Sequence, residues 1–353
     1  MKTSRFEDAG SEFESLAEEA KVDLPLEQTS AWEVFDWAVG GRLPWRKLVW
    51  LVDGEPRAFL TATKMRGRGF TYLWAKHGPV WAGPTPSARE EAAFRSDLVR
   101  VVRSIEPEVD FVRLHAHHRA GDLRELLQSV TYDRTVVLDL RKDADALLAS
   151  MKKRGRRDVR KAMRDESLVA ADETENAHAV FGELYELLVE TGERDSFGIL
   201  PQETYEAMLV GLGPEHCRLY TVRREGRPLC WGIVTTTASQ ATYYYAASND
   251  EGRKAGAPDL LVFAMARFLR ERGIESFDLM GIDSERAPQL AGVRGFKTKF
   301  SEEIAEVPGA WDVPVSRLRY EALVKALAAK RWATARLDSV RQRLRGDSED
   351  QDS

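Results

Sequence analysis

Eight cations and a single acid occupy the thirteen residues from Lys152 to Arg164. On a helix, Lys153, Arg157, Arg160 and Arg164 fall along one stripe, a spacing that can follow a phosphate backbone; a solvated helix face is the alternative for such a run. Farther along, Tyr243, Tyr244 and Tyr245 are consecutive. Alternate residues of a strand face opposite sides, so Tyr243 and Tyr245 are expected to share a face and to offer hydroxyls and flat rings to a sugar, a peptide or a base. Aromatic packing is the reading for Tyr244. His115, His117 and His118 invite a metal. Only His115 and His117 could share an ion, however, and no carboxylate or cysteine lies at a supporting interval, so no metal centre is expected. The chain carries no nucleophile elbow, P-loop or dinucleotide fingerprint, which leaves a chemistry of positioning rather than of covalent attack.

The elements that must position these residues read as two α/β halves. The first has an acidic helix near 8–21, a helix from about 30 with Trp32, Phe35 and Trp37, strands over 47–54, 56–65 and 70–78, a long helix over 87–105 and a strand over 110–116. Asp53-Gly54 marks a hairpin between the first two strands. The second half repeats the rhythm: strand 135–140, helices 143–165, 174–192 and 201–212, three strands ending in the tyrosine run, helix 256–273 and strand 276–281. With 353 residues, 43% of them hydrophobic, the chain has room for two ordinary domains. No apolar run approaches the roughly 20 residues that span a bilayer, and the N-terminus lacks the apolar core of a signal peptide, so a cytoplasmic protein is expected. Two cysteines, Cys217 and Cys230, without zinc spacing, read as buried thiols. The net charge of −5 does not advertise nucleic-acid binding, which makes local patches the relevant quantity.

Several phrases follow one another in an order that resembles the Fem family of non-ribosomal peptidyl aminoacyltransferases: QTSAW (28–32), WAKHGPVW (74–81), MKKRGRRDVRKAMR (151–164), ETGERDSFGILPQETYEAM (190–208), YYYAASNDEG (243–252), SFDLMGID (276–283) and GFKTKFSEEIAEVPGAWD (295–312). The resemblance implies a fold of two tandem modules of the acetyl-CoA-dependent N-acyltransferase type, each a mixed sheet flanked by helices. It assigns the tetrahedral oxyanion of aminoacyl transfer to the lysine of a Phe-Lys pair, here Phe296-Lys297, with Lys299 as the alternative register; a fixed cation there can lower the barrier by several kcal/mol. Taken alone, a lysine in GFKTKFS is a solvated charge at a strand edge. The resemblance also assigns substrate contacts to Arg194, Tyr205 and Tyr245. Arg194 would grip phosphates or carboxylates of the precursor with its planar fork, against the alternative of a helix-end charge paired with Asp195. The acceptor stem of tRNA becomes the natural partner of the stripe of Lys153, Arg157, Arg160 and Arg164.

Two departures shape the expectation. The N-acyltransferase superfamily opens a helix with an Arg/Gln-x-x-Gly-x-Gly/Ala loop, and here Arg253-Lys254-Ala255-Gly256-Ala257-Pro258 ends in a proline that removes an N–H donor. A tRNA-borne donor needs no such cradle, so no cofactor is expected. A lysine usual a few residues after the early tryptophan is replaced by Glu33-Val34-Phe35-Asp36, leaving Arg42, Arg46 or Lys76 to meet the precursor. The expected modules are 1–138 with 309–353, and 139–308. The expected activity is transfer of an amino acid from aminoacyl-tRNA to the stem-peptide amine of a peptidoglycan precursor, lipid-linked or nucleotide-linked. Alternatives are an acyl-CoA-dependent N-acyltransferase and a non-catalytic tRNA-binding protein. A C-terminal cationic set (Arg317, Arg319, Lys325, Lys330, Arg331, Arg336, Arg341, Arg343, Arg345) with apolar residues between leaves the inner membrane face as a further partner. The acidic tail 346–353 reads as disordered.

Overall fold

The computed structural model describes residues 3–67, 69–127, 131–195, 198–330 and 336. Ser196, Phe197, Arg331, Arg341, Arg343, Arg345 and the tail 346–353, all named above, lie outside the described residues. The chain opens with β1 (Ser4–Asp8), α1 (Phe13–Glu19) and α2 (Ser30–Ala38). Asp53 (φ 54°) and Gly54 (φ 90°) both take the left-handed conformation of a tight hairpin and join β2 (Arg42–Val52) to β3 (Glu55–Gly67). β4 (Phe70–Trp74), the short β5 (Val80–Trp81), α3 (Ala88–Ile105) and β6 (Phe111–Ala116) follow. A capping box starts α3: the Ser87 hydroxyl accepts from the Glu90 N–H while the Glu90 carboxylate accepts from the Ser87 N–H. Its Phe94, Leu98 and Val102 recur at helical spacing and enter the first core beneath the sheet.

The second half runs β7 (Arg134–Asp139), α4 (Ala144–Ser150), α5 (Lys153–Met163), β8 (Leu168–Asp172), α6 (Ala177–Asp195), α7 (Gln202–His216), β9 (Cys217–Arg224), β10 (Arg227–Thr236) and β11 (Gln240–Ser248). It continues through α8 (Asp250–Ala255), α9 (Ala257–Glu271), β12 (Ser276–Gly281), α10 (Ala291–Lys297), β13 (Ala305–Glu306) and β14 (Gly309–Pro314). The strands form two mixed sheets, β1-β2-β3-β4-β6-β14 with β5 beside β3, and β13-β7-β12-β11-β10-β9-β8. Each holds one parallel pair, β4 with β6 and β11 with β12, among antiparallel neighbours.

β14 pairs with β6 and returns the chain to the first sheet. A buried ion pair fixes that return: Arg113 of β6 donates from Nε to Asp312 of β14 at 2.7 Å, and the Tyr320 hydroxyl donates to the same carboxylate at 3.2 Å. The boundary expected at 138/139 crosses β7, which belongs wholly to the second sheet; the first module is therefore left before Arg134. Between the modules the core is shared. Trp32 and Phe35 of α2 are buried in one cluster with Leu184 of α6 and Met208 of α7, and α7 approaches so closely that a Cβ on Gly211 would lie 3.1 Å from the Phe35 Cα.

Two expectations about elements are corrected. The single helix over 143–165 is two helices, because Met151 and Lys152 are extended and the Lys152 N–H donates to the Lys299 carbonyl at 3.1 Å. Gly155 permits this docking: a Cβ there would come within 2.2 Å of the same carbonyl. The segment around Lys297 is no strand edge but the last turn of α10.

Candidate active site

β12 does not run straight to its end. Its pairing with β7 steps from Asp278↔Val137 to Gly281↔Thr135, so one extra residue bulges from the β12 side. Met280 takes φ 61° there, a left-handed conformation rarely adopted by a side chain of its size. The bulge turns two carbonyls toward α10, and the Lys297 ammonium donates to Gly281 O at 2.9 Å and Met280 O at 3.3 Å. Burial pulls the Lys297 ammonium down to about 8, opposed by the charge of Asp278. Phe296 meets Phe300 edge-on at 5.2 Å. Lys299, the alternative register, is buried, ion-paired with Asp259 of α9 and stacked 4.7 Å over Phe296. Its charge is therefore already neutralised by a structural partner.

Lys297 borders a cavity of about 560 Å³. Arg154 and Lys161 of α5, Arg194 at the end of α6, Tyr243 of β11 and the 253–258 phrase line the rest of it. The cavity opens where the sheet parts: β11 and β12 pair only over Gln240–Thr242 and Ser276–Asp278. Gly256 (φ 81°) separates α8 from α9, and Pro258 lies in the first turn of α9. The Asp259 N–H is already bonded to Gly256 O at 3.0 Å, and the Asp259 carboxylate in the same turn is taken up by the ion pair with Lys299. Few backbone donors remain for a pyrophosphate there, whereas the cationic side chains suit a phosphodiester.

The stripe of Lys153, Arg157, Arg160 and Arg164 is exposed along α5, and the cavity is faced instead by Arg154, Asp158 and Lys161 on the neighbouring side of that helix. Arg194 lines the cavity with its fork engaged: Nε and Nη2 donate to Asp195, each at 2.9 Å, and Nη1 donates to the Ser248 carbonyl at 2.7 Å. Tyr205 is buried, and its hydroxyl accepts from the Leu200 N–H at 3.1 Å. The expectation that Tyr243 and Tyr245 share a face is corrected by a second bulge. Ile233 pairs with Tyr245 and Val234 with Tyr243, so Tyr244 is the extra residue and alternation breaks. Tyr243 enters the core beneath α9, while Tyr245 meets Tyr205 edge-on at 4.9 Å on the α6–α7 side.

Tyr244, which strand alternation makes a packing residue, is the one that reaches the first module. Lys76 hydrogen-bonds its hydroxyl and lies 4.6 Å over its ring and 4.7 Å over Trp32, while Glu27 accepts from the same hydroxyl at 3.2 Å. Burial lowers the Lys76 ammonium and is opposed by Glu27. The phrases QTSAW and WAKHGPVW thus meet here, and the Gln28 amide donates to Lys76 O at 2.7 Å and accepts from the Thr61 N–H at 2.7 Å. Of the other cations considered for the precursor, Arg42 pairs with Asp36 at 3.3 Å and Arg46 with Asp8 at 2.5 Å. Burial, then the neighbouring His77, pushes the His115 imidazole down to about 3, and its Nδ1 donates to the Pro308 carbonyl at 2.8 Å. Among the described residues no group of three metal-ligating side chains converges, and no helix is long and apolar enough to cross a membrane.

The FemAB family pattern matches residues 223–328. No curated protein matches the chain. Among solved structures, the crystal structure of FemX superposes with a TM-score of 0.68 at 14% identity, covering 92% of this chain and 100% of its own. The C-terminal domain of a protein named as a lysylphosphatidylglycerol synthetase from Agrobacterium fabrum gives 0.53 at 15% identity, covering 90% of this chain and 95% of its own. A tandem GNAT protein from the clavulanic acid biosynthesis pathway gives 0.50 at 11% identity, covering 90% of this chain and 99% of its own. These matches support an acyltransferase built from two mixed α/β modules. Over residues 223–328, which carry the tyrosine strand, α9 and Lys297, the chain matches the FemAB family, and across 92% of its length it has the fold of FemX.

Proposed function

We propose that the chain transfers an amino acid from aminoacyl-tRNA to the stem-peptide amine of a peptidoglycan precursor, in the synthesis of an interpeptide bridge. The observation that carries this reading is Lys297, whose ammonium is held by two backbone carbonyls at the wall of a cation-lined cavity. Attack of the amine on the ester carbonyl develops an oxyanion, and the ammonium stabilises it more than it stabilises the ground state. Phe296 and Tyr243 border the same cavity and are assigned to the reacting ends, as is Arg194 to an anionic group of the precursor. Tyr205 and Tyr245 are assigned to shaping the opposite wall of β11. The α5 stripe is assigned to the acceptor stem of the tRNA. The first turn of α9 disfavours a coenzyme A pyrophosphate, which supports a donor other than a thioester.

Purified protein offered charged tRNA with a soluble precursor, charged tRNA with a lipid-linked precursor in anionic vesicles, and acetyl-CoA with either, tests the reading. Transfer from the tRNA ester is expected; transfer from the thioester alone overturns it. A preference for the vesicle-borne acceptor would assign the 317–330 helix, with Arg317, Arg319 and exposed Leu318, to the inner membrane face.

A further inference from the structure

Asp278 stands at the start of the β12 bulge. Its Oδ1 accepts from the Met280 N–H at 2.7 Å and from the Thr135 hydroxyl on β7. These two bonds brace the extra residue across the ladder and hold Met280 at φ 61°. The two carbonyls so aimed accept two of the three hydrogens of the Lys297 ammonium but carry no formal charge, and a cation buried against dipoles alone would tend to give up its proton. The Asp278 carboxylate, held inside the same bulge by the Met280 N–H, opposes the loss of that proton through its charge. The groups that act on it come from several elements: Thr135 of β7, Lys297 of α10, and His77 of the first module, whose charge favours the ionised carboxylate. Tyr132, on the segment before β7, in turn feels the Asp278 charge. Burial nonetheless raises the Asp278 carboxyl above the usual carboxylate range.

We propose that Asp278 is the positioning residue of this site: it builds the carbonyl pair that aims the Lys297 ammonium and supplies the counter-charge that keeps it protonated. The catalytic part of this statement rests on the acyl-transfer reading; the electrostatic part does not. Asp278→Asn retains an oxygen able to accept from the Met280 N–H and the Thr135 hydroxyl, so it removes the charge and leaves the bracing. The measurement is an NMR titration of the protein labelled at lysine Cε, with the Lys297 resonance identified by its loss in Lys297→Arg. The wild-type midpoint is expected at about 8, and Asp278→Asn should lower it by about one pH unit. An unaltered midpoint overturns the proposal.

Should Asp278→Asn not fold, Asp278→Ser removes the charge and keeps a hydroxyl oxygen able to accept from the Met280 N–H. A fall in the midpoint is again required, and its absence is equally decisive. No substrate enters the titration, so the two readings fail separately. A shifted midpoint in a protein that transfers nothing from tRNA refutes the proposed function alone. Normal transfer with an unaltered midpoint refutes the role of Asp278 alone.

Discussion

A lysine that serves an oxyanion must be charged when the acceptor amine is not. The two demands pull in opposite directions along the pH axis: a free acceptor amine titrates near 10 and gains nucleophilic fraction as pH rises, whereas Lys297, drawn down to about 8, loses its charge over the same range. The turnover number should therefore rise with pH, bend near 8 and level off or fall as the ammonium is lost. Lys297→Met keeps an apolar stem and removes the charge, and should cut turnover by roughly one to three orders of magnitude while changing precursor affinity less. Its pH profile should also lose the bend near 8, since the remaining activity follows only the amine. A folded Lys297→Met variant with wild-type turnover, or one that keeps the bend, would remove Lys297 from the mechanism.

At the scale of elements, α5 presents two cationic faces with different surroundings. Arg154 and Lys161 turn to the cavity, and Lys153, Arg157, Arg160 and Arg164 turn to solvent. Replacing Arg157 and Arg160 by Gln should weaken aminoacyl-tRNA binding and flatten its salt dependence, because a phosphate that meets no cation keeps its counterion. Binding and salt slope equal to wild type would make this face an ordinary solvated one. The helical spacing of these cations is legible in the sequence, as are the Asp53-Gly54 hairpin and the two-module rhythm, because each rests on local periodicity or turn chemistry. What escapes a sequence reading rests on tertiary packing. The bulge at Tyr244 breaks strand alternation without any Gly or Pro to announce it, so alternation alone gives Tyr243 and Tyr245 one face. Asp278 lies within the phrase SFDLMGID, but nothing in that phrase shows the bond that Thr135 of β7 makes to it. The 295–300 segment reads as a strand edge, and the packing of Phe296 against Phe300 accompanies the short helix α10 instead.

Over the whole molecule, the second module is an insertion in the first. The chain leaves the first sheet after β6, builds all of the second sheet, and returns with β14, where Asp312 meets Arg113. A ribosome delivers these pieces in order. The edge of β6 beside which β14 must lie stays unpaired until the second module has been synthesised, and an unpaired edge is a template for wrong partners. A fragment of residues 3–127 should thus stay unfolded or aggregate, and a peptide of 309–330 should restore a cooperative unfolding transition; cooperative unfolding of the fragment without the peptide would contradict this. A nascent protein stalled before Gly309 exposes a sheet that lacks its edge strand to whatever chaperone or protease arrives first.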